Sequence, residues 1–244
     1  MKPICRLLIY ITLLWACVGA RSVTAEDVDV ANCSVTDLMI SAEQAEQVAA
    51  CRVAAESGNA NAQFGLGFMY DDFGMGVVPK DYAEAMRWYR RAAEQGHAKA
   101  QIQIGFMYER GNGVPVNEAE ATAWFRLAAE QGDAEGQFKL GLQYYYGEGV
   151  LQDYAQAVAW FRLAADQGNV WAQFNLGTVY YYGQGVPQDY TLAHMWFNLA
   201  GTDTFYELAR ESRDTVAKQM TPAQLAEAQR LAREWTAAHR AGVE

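Results

Sequence analysis

Three histidines, four cysteines and a recurring Gly-x-Gly are the residues of this 244-residue chain from which chemistry could be built. His97, His194 and His239 lie far apart, and none stands in a metal-ligand spacing such as His-Glu-x-x-His. No serine sits in a Gly-x-Ser-x-Gly elbow. Gly147-Glu148-Gly149 superficially has the form of a phosphate loop. No Gly-Lys-Ser/Thr follows it and no strand pattern precedes it, so it reads as a helix-to-helix turn. Adjacent acids such as Asp71 and Asp72 read as acidic surface. Arg90, Arg126 and Arg162 each stand four residues before Glu94, Glu130 and Asp166. As exposed helix pairs in the less favoured order, these are worth at most about 0.5 kcal/mol. The reading therefore assigns no catalytic, cofactor-binding or metal-ligating residue, and no cofactor.

The cysteines divide by position. Cys5 and Cys17 lie in an N-terminal segment where Lys2 and Arg6 precede an apolar run from Leu7 to Ala20. That run is too short for an ordinary membrane-spanning helix, so residues 1–25 read as a secretory signal peptide. Val23-x-Ala25 and Val18-x-Ala20 are both small-residue cleavage patterns. Leu14-Trp15-Ala16-Cys17 resembles a lipobox, which would instead leave a lipid anchor on Cys17. Cys33 and Cys51 remain after cleavage, and an even pair in an exported chain reads as a disulfide. Such a chain is expected in a bacterial periplasm or outside the cell, or on a membrane if Cys17 is lipidated.

Charge narrows the partners. Cleavage after Ala25 removes Lys2, Arg6 and Arg21 and no acid, so 19 basic residues fall to 16 against 29 acidic, a net of −13. A chain this acidic repels phosphate backbones and anionic membrane surfaces. Nucleic acid is thereby excluded as the expected partner, and protein is favoured. Hydrophobic residues make up 51% of the sequence, too many for a disordered chain.

The elements behind these residues repeat. Trp88, Trp124, Trp160 and Trp196 are 36 residues apart each time, and Gly67, Gly105, Gly141 and Gly177 are spaced 38, 36 and 36. A fixed period of this size marks a solenoid whose repeats touch only their neighbours. Each repeat reads as two helices, A then B. Asn59, Asp133 and Asn169 are expected to cap the A helices, with His97 a weaker cap in the second copy. Ala62, Leu66 and Tyr70 share one face of helix A. Gly74, Gly111, Gly147 and Gly183 end it in the left-handed conformation. Asp81, Asn117, Asp153 and Asp189 start the B helices, where Ala85, Trp88 and Ala92 set a large ring between small residues. Trp124 and Trp160 are accordingly expected in the core.

The sequence then divides into a strap and lone half-repeat helix at 26–58 and repeats at 59–96, 97–132, 133–168 and 169–201. A C-terminal cap of two helices follows at 202–244. In the cap, Phe205, Leu208 and Val216 are the expected apolar positions of the first helix. Thr221, Pro222 and Gln224 start the second, whose buried stripe is Leu225, Ala228, Ala232 and Trp235.

The pattern Leu140-Gly141-x-x-Tyr144-x-x-Gly147-x-Gly149-Val150, followed by Asp153, Ala157, Trp160, Ala164-Ala165 and Gly168, resembles the Sel1-like repeat family, relatives of the tetratricopeptide repeats. The resemblance implies an all-α, right-handed superhelical solenoid of antiparallel helix pairs. It also implies a non-catalytic scaffold for protein–protein interaction, of the kind used in envelope assembly, signalling or host contact. Disulfide-rich relatives are penicillin-binding hydrolases with a cysteine pair in every repeat, whereas residues 59–201 here contain no cysteine. A lipoprotein component of an outer-membrane export assembly is the other alternative.

By analogy with tetratricopeptide repeats, the helix-A face opposite Ala62, Leu66 and Tyr70 lines a concave groove. Phe64, Phe68, Phe106, Phe138, Tyr145, Trp171, Phe174 and Tyr181 are the candidate partner-binding residues. Tyr145, Tyr181 and Trp171 each replace a polar residue of an earlier repeat. The groove's rim carries Asp71 and Glu109, then Tyr145, Tyr146, Tyr181 and Tyr182, and Asp71, Glu109 and Glu135 are expected to make it acidic.

Overall fold

The computed structural model describes residues 42–71, 78–202 and 207–240. The expected signal peptide, strap, Cys33, Gly74 and Phe205 lie outside the described residues. Within them the chain is all-helical, with eleven α-helices and no strand. A lone helix, α1 (Ala42–Glu56), is followed by four A/B pairs: α2 (Ala60–Tyr70) and α3 (Tyr82–Glu94), α4 (Ala98–Arg110) and α5 (Glu118–Glu130), α6 (Ala134–Tyr146) and α7 (Tyr154–Asp166), α8 (Val170–Tyr182) and α9 (Tyr190–Ala200). Helices α10 (Glu207–Ala217) and α11 (Pro222–Arg240) close the C-terminal end, both packing on α9. From α1 to α10 each helix packs on the next, so contacts run along the array as a solenoid requires.

The caps form as their chemistry dictates. Asn59, Asp133 and Asn169 accept first-turn amides of α2, α6 and α8. Asp81, Asn117, Asp153 and Asp189 do so for the B helices. His97 caps α4 through a ring nitrogen: Nδ1 accepts from the Ala100 amide at 3.2 Å while Nε2 faces Asn61 Oδ1 at 3.1 Å. Burial holds this imidazole below its usual pKa, which keeps Nδ1 an acceptor. The Thr221–Gln224 capping box is present, with the Thr221 amide donating to Gln224 Oε1 at 2.9 Å.

The core departs from the expected tryptophan packing. The glycines of the A helices abut the residue after each tryptophan. A Cβ on Gly141 would lie 2.6 Å from the Phe161 ring, and one on Gly105 2.4 Å from Phe125. Tyr89, Phe125 and Phe161 are fully buried, with Phe197 nearly so. Trp88, Trp124 and Trp160 are only half-buried, and only Trp196 is core. A one-position step turns a helix by about 100°, so Phe161 points at α6 and Trp160 lies on the flank. In the cap, Ala209 and Val216 are buried while Leu208 is exposed. In α11, Ala228 and Ala232 are buried, with Leu225 and Trp235 half-buried.

Truncating the ring that meets the glycine should hurt most. Phe161→Ala is expected to cost about 3–5 kcal/mol, the usual range for a buried aromatic. Trp160→Ala should cost distinctly less. Parallel urea melts measure the difference, and equal losses would contradict this assignment of the core.

Candidate functional site

The groove residues fall into two rows. Phe64, Phe138 and Phe174 turn towards the helix-B rings of their own repeats. Their ring centroids lie 5.8 Å from Tyr89, 6.1 Å from Phe161 and 5.3 Å from Phe197. Tyr145 and Tyr181 likewise pack on Tyr154 and Tyr190, at 5.3 and 5.6 Å, and Tyr145 donates to Gln184 Oε1. These five, all half-buried, support the outer row rather than form it.

The outer row lies one helical step round. At about 100° per residue, positions 171, 175, 178 and 182 share one face of α8. That strip reads Trp171, Asn175, Thr178 and Tyr182. On α6 it reads Glu135, Lys139, Leu142 and Tyr146, and on α4 Lys99, Gln103, Phe106 and Arg110. Trp171 is 55% exposed, Tyr146 59% and Tyr182 65%. Tyr146 and Tyr182 stand edge-on to Tyr145 and Tyr181, both at 4.9 Å, so each exposed ring rests on a half-buried one. Phe68 and Phe106 also belong to this row, but both are half-buried. Phe106 lies under two cations, Lys139 at 4.3 Å and Arg110 at 5.0 Å.

The expected acidic rim is not continuous. Asp71 is buried, and the Tyr89 hydroxyl donates to its carboxylate at 3.2 Å. Burial, followed by that carboxylate, drives the Tyr89 phenol far above its usual pKa. Glu109 is half-buried and accepts from Gln143 Nε2 at 2.8 Å. Its carboxyl is raised above the usual range by desolvation, which outweighs the opposing effect of Lys139. Glu135 is raised by desolvation and by Asp133. Lys139 is lowered, chiefly by desolvation. The middle of the strip is thus a mixed-charge cluster, and its C-terminal end is open and aromatic.

Two recurring contacts escaped the sequence reading. Gln63, Gln101, Gln137 and Gln173 are buried, and their side-chain amides donate to the carbonyls of Ala55, Ala93, Ala129 and Ala165 at 3.0–3.4 Å. The first three accept in turn from Gln95, Gln131 and Gln167, which cap the following B helices, at 2.7–2.8 Å. Arg52, Arg90, Arg126 and Arg162 donate to the hydroxyls of Tyr70, Tyr108, Tyr144 and Tyr180 on the next A helix, rather than pairing with the acids four residues on. The signal for both was the strict 36- or 38-residue recurrence of a polar residue.

Among the described residues no group of three or more His, Cys, Asp or Glu could hold a metal ion. His194 is buried against the C-terminal cap, and burial lowers its pKa, followed by the effect of Arg213. Gly113, Gly149 and Gly185, the second glycines of three Gly-x-Gly turns, pack on Tyr82, Glu118 and Tyr154 at the start of the preceding B helix. A Cβ on Gly149, at φ 68°, would lie 2.2 Å from the Glu118 carbonyl oxygen. No phosphate could be cradled where backbone already fills the space. No helix among the described residues is long and apolar enough to cross a membrane.

The Sel1 repeat family matches at residues 60–97, 98–133, 134–169 and 172–202. The chain belongs to the Sel1 repeat family. Solved members share its architecture. A Sel1 repeat protein from Oxalobacter formigenes is 32% identical, with a TM-score of 0.64 over 79% of this chain and 75% of that one. A protective antigen of uropathogenic Escherichia coli strains, displaying an SLR fold, is also 32% identical, with a TM-score of 0.52 over 78% of this chain. This chain covers 48% of that antigen's length. A comparison with curated proteins finds no match. Sel1 repeat proteins are generally protein-interaction scaffolds, which directs attention to the exposed helix-A strip.

The mixed-charge cluster gives a pH test. Because Glu109 has a folded pKa above its unfolded one, its contribution favours the fold below the ordinary carboxylate range. That contribution is lost as pH rises through the raised value. Glu109→Gln should therefore melt above wild type at pH 7, with the gap closing as pH falls through the carboxylate range. A gap that widens on acidification would reverse the assignment.

Proposed function

We propose that this Sel1 repeat chain is a non-catalytic scaffold that holds a protein partner on the helix-A face of its third and fourth repeats. The observation that carries this reading is the exposed triad of Trp171, Tyr146 and Tyr182, each more than half exposed. Large rings with few rotatable bonds, left open on a rigid platform, are the side chains from which protein-binding hot spots are most often made. The direct contact between α4 and α6, A helices of successive repeats, fits A helices on the inner layer of the curve. The partner's chemistry is set by the strip. Its centre should be apolar, to cover the rings, and its flank should offer both charge signs to Lys99, Arg110, Glu135 and Lys139.

The same reading places the protein outside the cytoplasm, because residues 1–25 have the make-up of a signal peptide. It includes a Cys33–Cys51 bridge that ties the preceding strap to α1, where Cys51 is buried against the first repeat. The mature N-terminus tests the export step. Mass spectrometry should find Glu26 free at the start of the exported chain. A lipidated Cys17 would instead make the protein a membrane-anchored lipoprotein.

Trp171→Ala combined with Tyr182→Ala should leave the melting temperature nearly unchanged, because exposed truncations usually stay within about 0.5 kcal/mol. Affinity for the partner recovered by cross-linking in intact cells should fall about thirtyfold or more, the equivalent of about 2 kcal/mol. Early unfolding of the variant, or partner recovery equal to wild type, would rule out the helix-A strip.

A further inference from the structure

The outer flank of the B helices carries a tryptophan four times, three of them with a leucine three residues on, and the chain itself covers the last such pair. In α9, Trp196 and Leu199 lie three residues apart on one face, and both are buried. Helix α11 covers them. The Trp235 ring meets Trp196 edge-on at 5.9 Å, and Leu199 faces Ala232, Thr236 and Ala237 across a shallow cleft. The end of α11 is held one repeat back. Trp235 Nε1 faces Asp166 Oδ1 at 3.5 Å, the His239 ring stacks on Trp235 at 3.8 Å, and His239 Nε2 lies 3.9 Å from the same carboxylate.

The same residue types recur in the second and third repeats, where both tryptophans are half-buried, Trp124 against the core of the repeat before it, and the leucines are left largely open. Trp160 and Leu163 hold these positions in α7, and Trp124 and Leu127 in α5. Leu163 is 48% exposed and Leu127 45%. Both repeats are followed by a complete A helix that leaves these leucines about half exposed, whereas Leu199 also has α11 against it. An acid also recurs at the position of Asp166: Glu130 stands 30 residues before Trp160, and Glu94 30 before Trp124, as Asp166 stands before Trp196. In the first repeat Arg91 replaces the leucine, and its guanidinium lies over Trp88 at 4.7 Å. That seat is closed by its own side chain.

We infer that the Trp124–Leu127 and Trp160–Leu163 flank is a docking site for an amphipathic α-helix of a partner protein, patterned like α11. The helix would present two alanines four residues apart, an aromatic ring three residues on, and a cationic or hydrogen-bonding side chain four beyond that. In α11 these are Ala228, Ala232, Trp235 and His239. The small residues let the helix approach the leucine closely, the ring packs on the tryptophan, and the polar group meets Glu130 or Glu94. This surface lies on the B helices and stands or falls independently of the helix-A strip.

The probe is a stapled peptide of residues 222–240, offered to the full mature chain, with binding read by fluorescence anisotropy and indole N–H shifts in NMR. Stapling is needed because a free helix of this length is marginal in water. The peptide should bind and shift Trp124 and Trp160. Leu127→Arg with Leu163→Arg, which copies the residue the first repeat already carries, should weaken binding more than tenfold with little change in melting temperature. A peptide with Trp235→Ala should bind more than tenfold more weakly to the wild-type chain. Absence of binding to wild type, or undiminished binding to the double variant, would overturn the site. A dimer of the intact chain that dissociates in the double variant would overturn the partner helix in favour of a second copy.

Discussion

A buried side-chain amide at each repeat boundary is the contact on which the rest of this solenoid depends. A glutamine inside a helical core is tolerated only if its polar atoms are bonded. Gln137 meets that requirement across three helices. It donates to the carbonyl of Ala129 at the end of α5, it sits on α6, and it accepts from Gln167 at the end of α7. Because the bonds are directional, they fix how far one repeat slides and turns relative to the next, which apolar contact alone would leave loose. The arginine–tyrosine bonds, such as Arg126 to Tyr144, secure the same boundary further along the helices. Register propagated in this way places every A helix at a comparable depth, and so places the glycine of each A helix against a ring.

The repeat period, helix pairs, caps and glycine turns were legible in the sequence, because each rests on local chemistry at a fixed offset. Asp153 capping α7 and Gly147 ending α6 needed no knowledge of the neighbouring repeat. The identity of the ring against the glycine was not legible. Trp160 and Phe161 are adjacent and both aromatic, and the tryptophan attracted the assignment because it stands between alanines three and four residues away. Which of two adjacent residues faces inward depends on the helix's rotation about its axis, and that is settled by packing between helices. The glutamines were missed for a related reason. Polar side chains are mostly exposed, so a recurring Gln is read as surface until a buried carbonyl is seen beside it.

The candidate site shows the same limit. Trp171 was legible because it replaces Asn61, Lys99 and Glu135 at its repeat position. Tyr145 and Tyr181 were also visible as departures from the earlier repeats, yet they are the rings beneath, and Tyr146 and Tyr182 are the rings on top. Asp71 looked like rim and is instead a buried acceptor for Tyr89. In each case the residue type was informative and the direction of its side chain was not.

The array's end follows from the constraint at its boundaries. In the fourth repeat the position of Gln95, Gln131 and Gln167 is Asp203, so the glutamine relay is not continued. A solenoid whose relay stops must cover the face it leaves behind. Here α10 and α11 both pack on α9, and α11 takes Trp196 and Leu199 out of solvent. The second and third repeats keep the same pair, with the tryptophan half-buried and the leucine about half exposed, although no end needs sealing there. An internal repeat gains nothing in stability from leaving a leucine half exposed, and the first repeat shows that arginine is tolerated at that position. The inner positions of the described repeats are committed to the rings, alanines and glutamines that hold neighbours together, so side chains can vary without disturbing the array on its exposed surfaces, among them the strip ending in Trp171, Tyr146 and Tyr182 and the flank of the B helices.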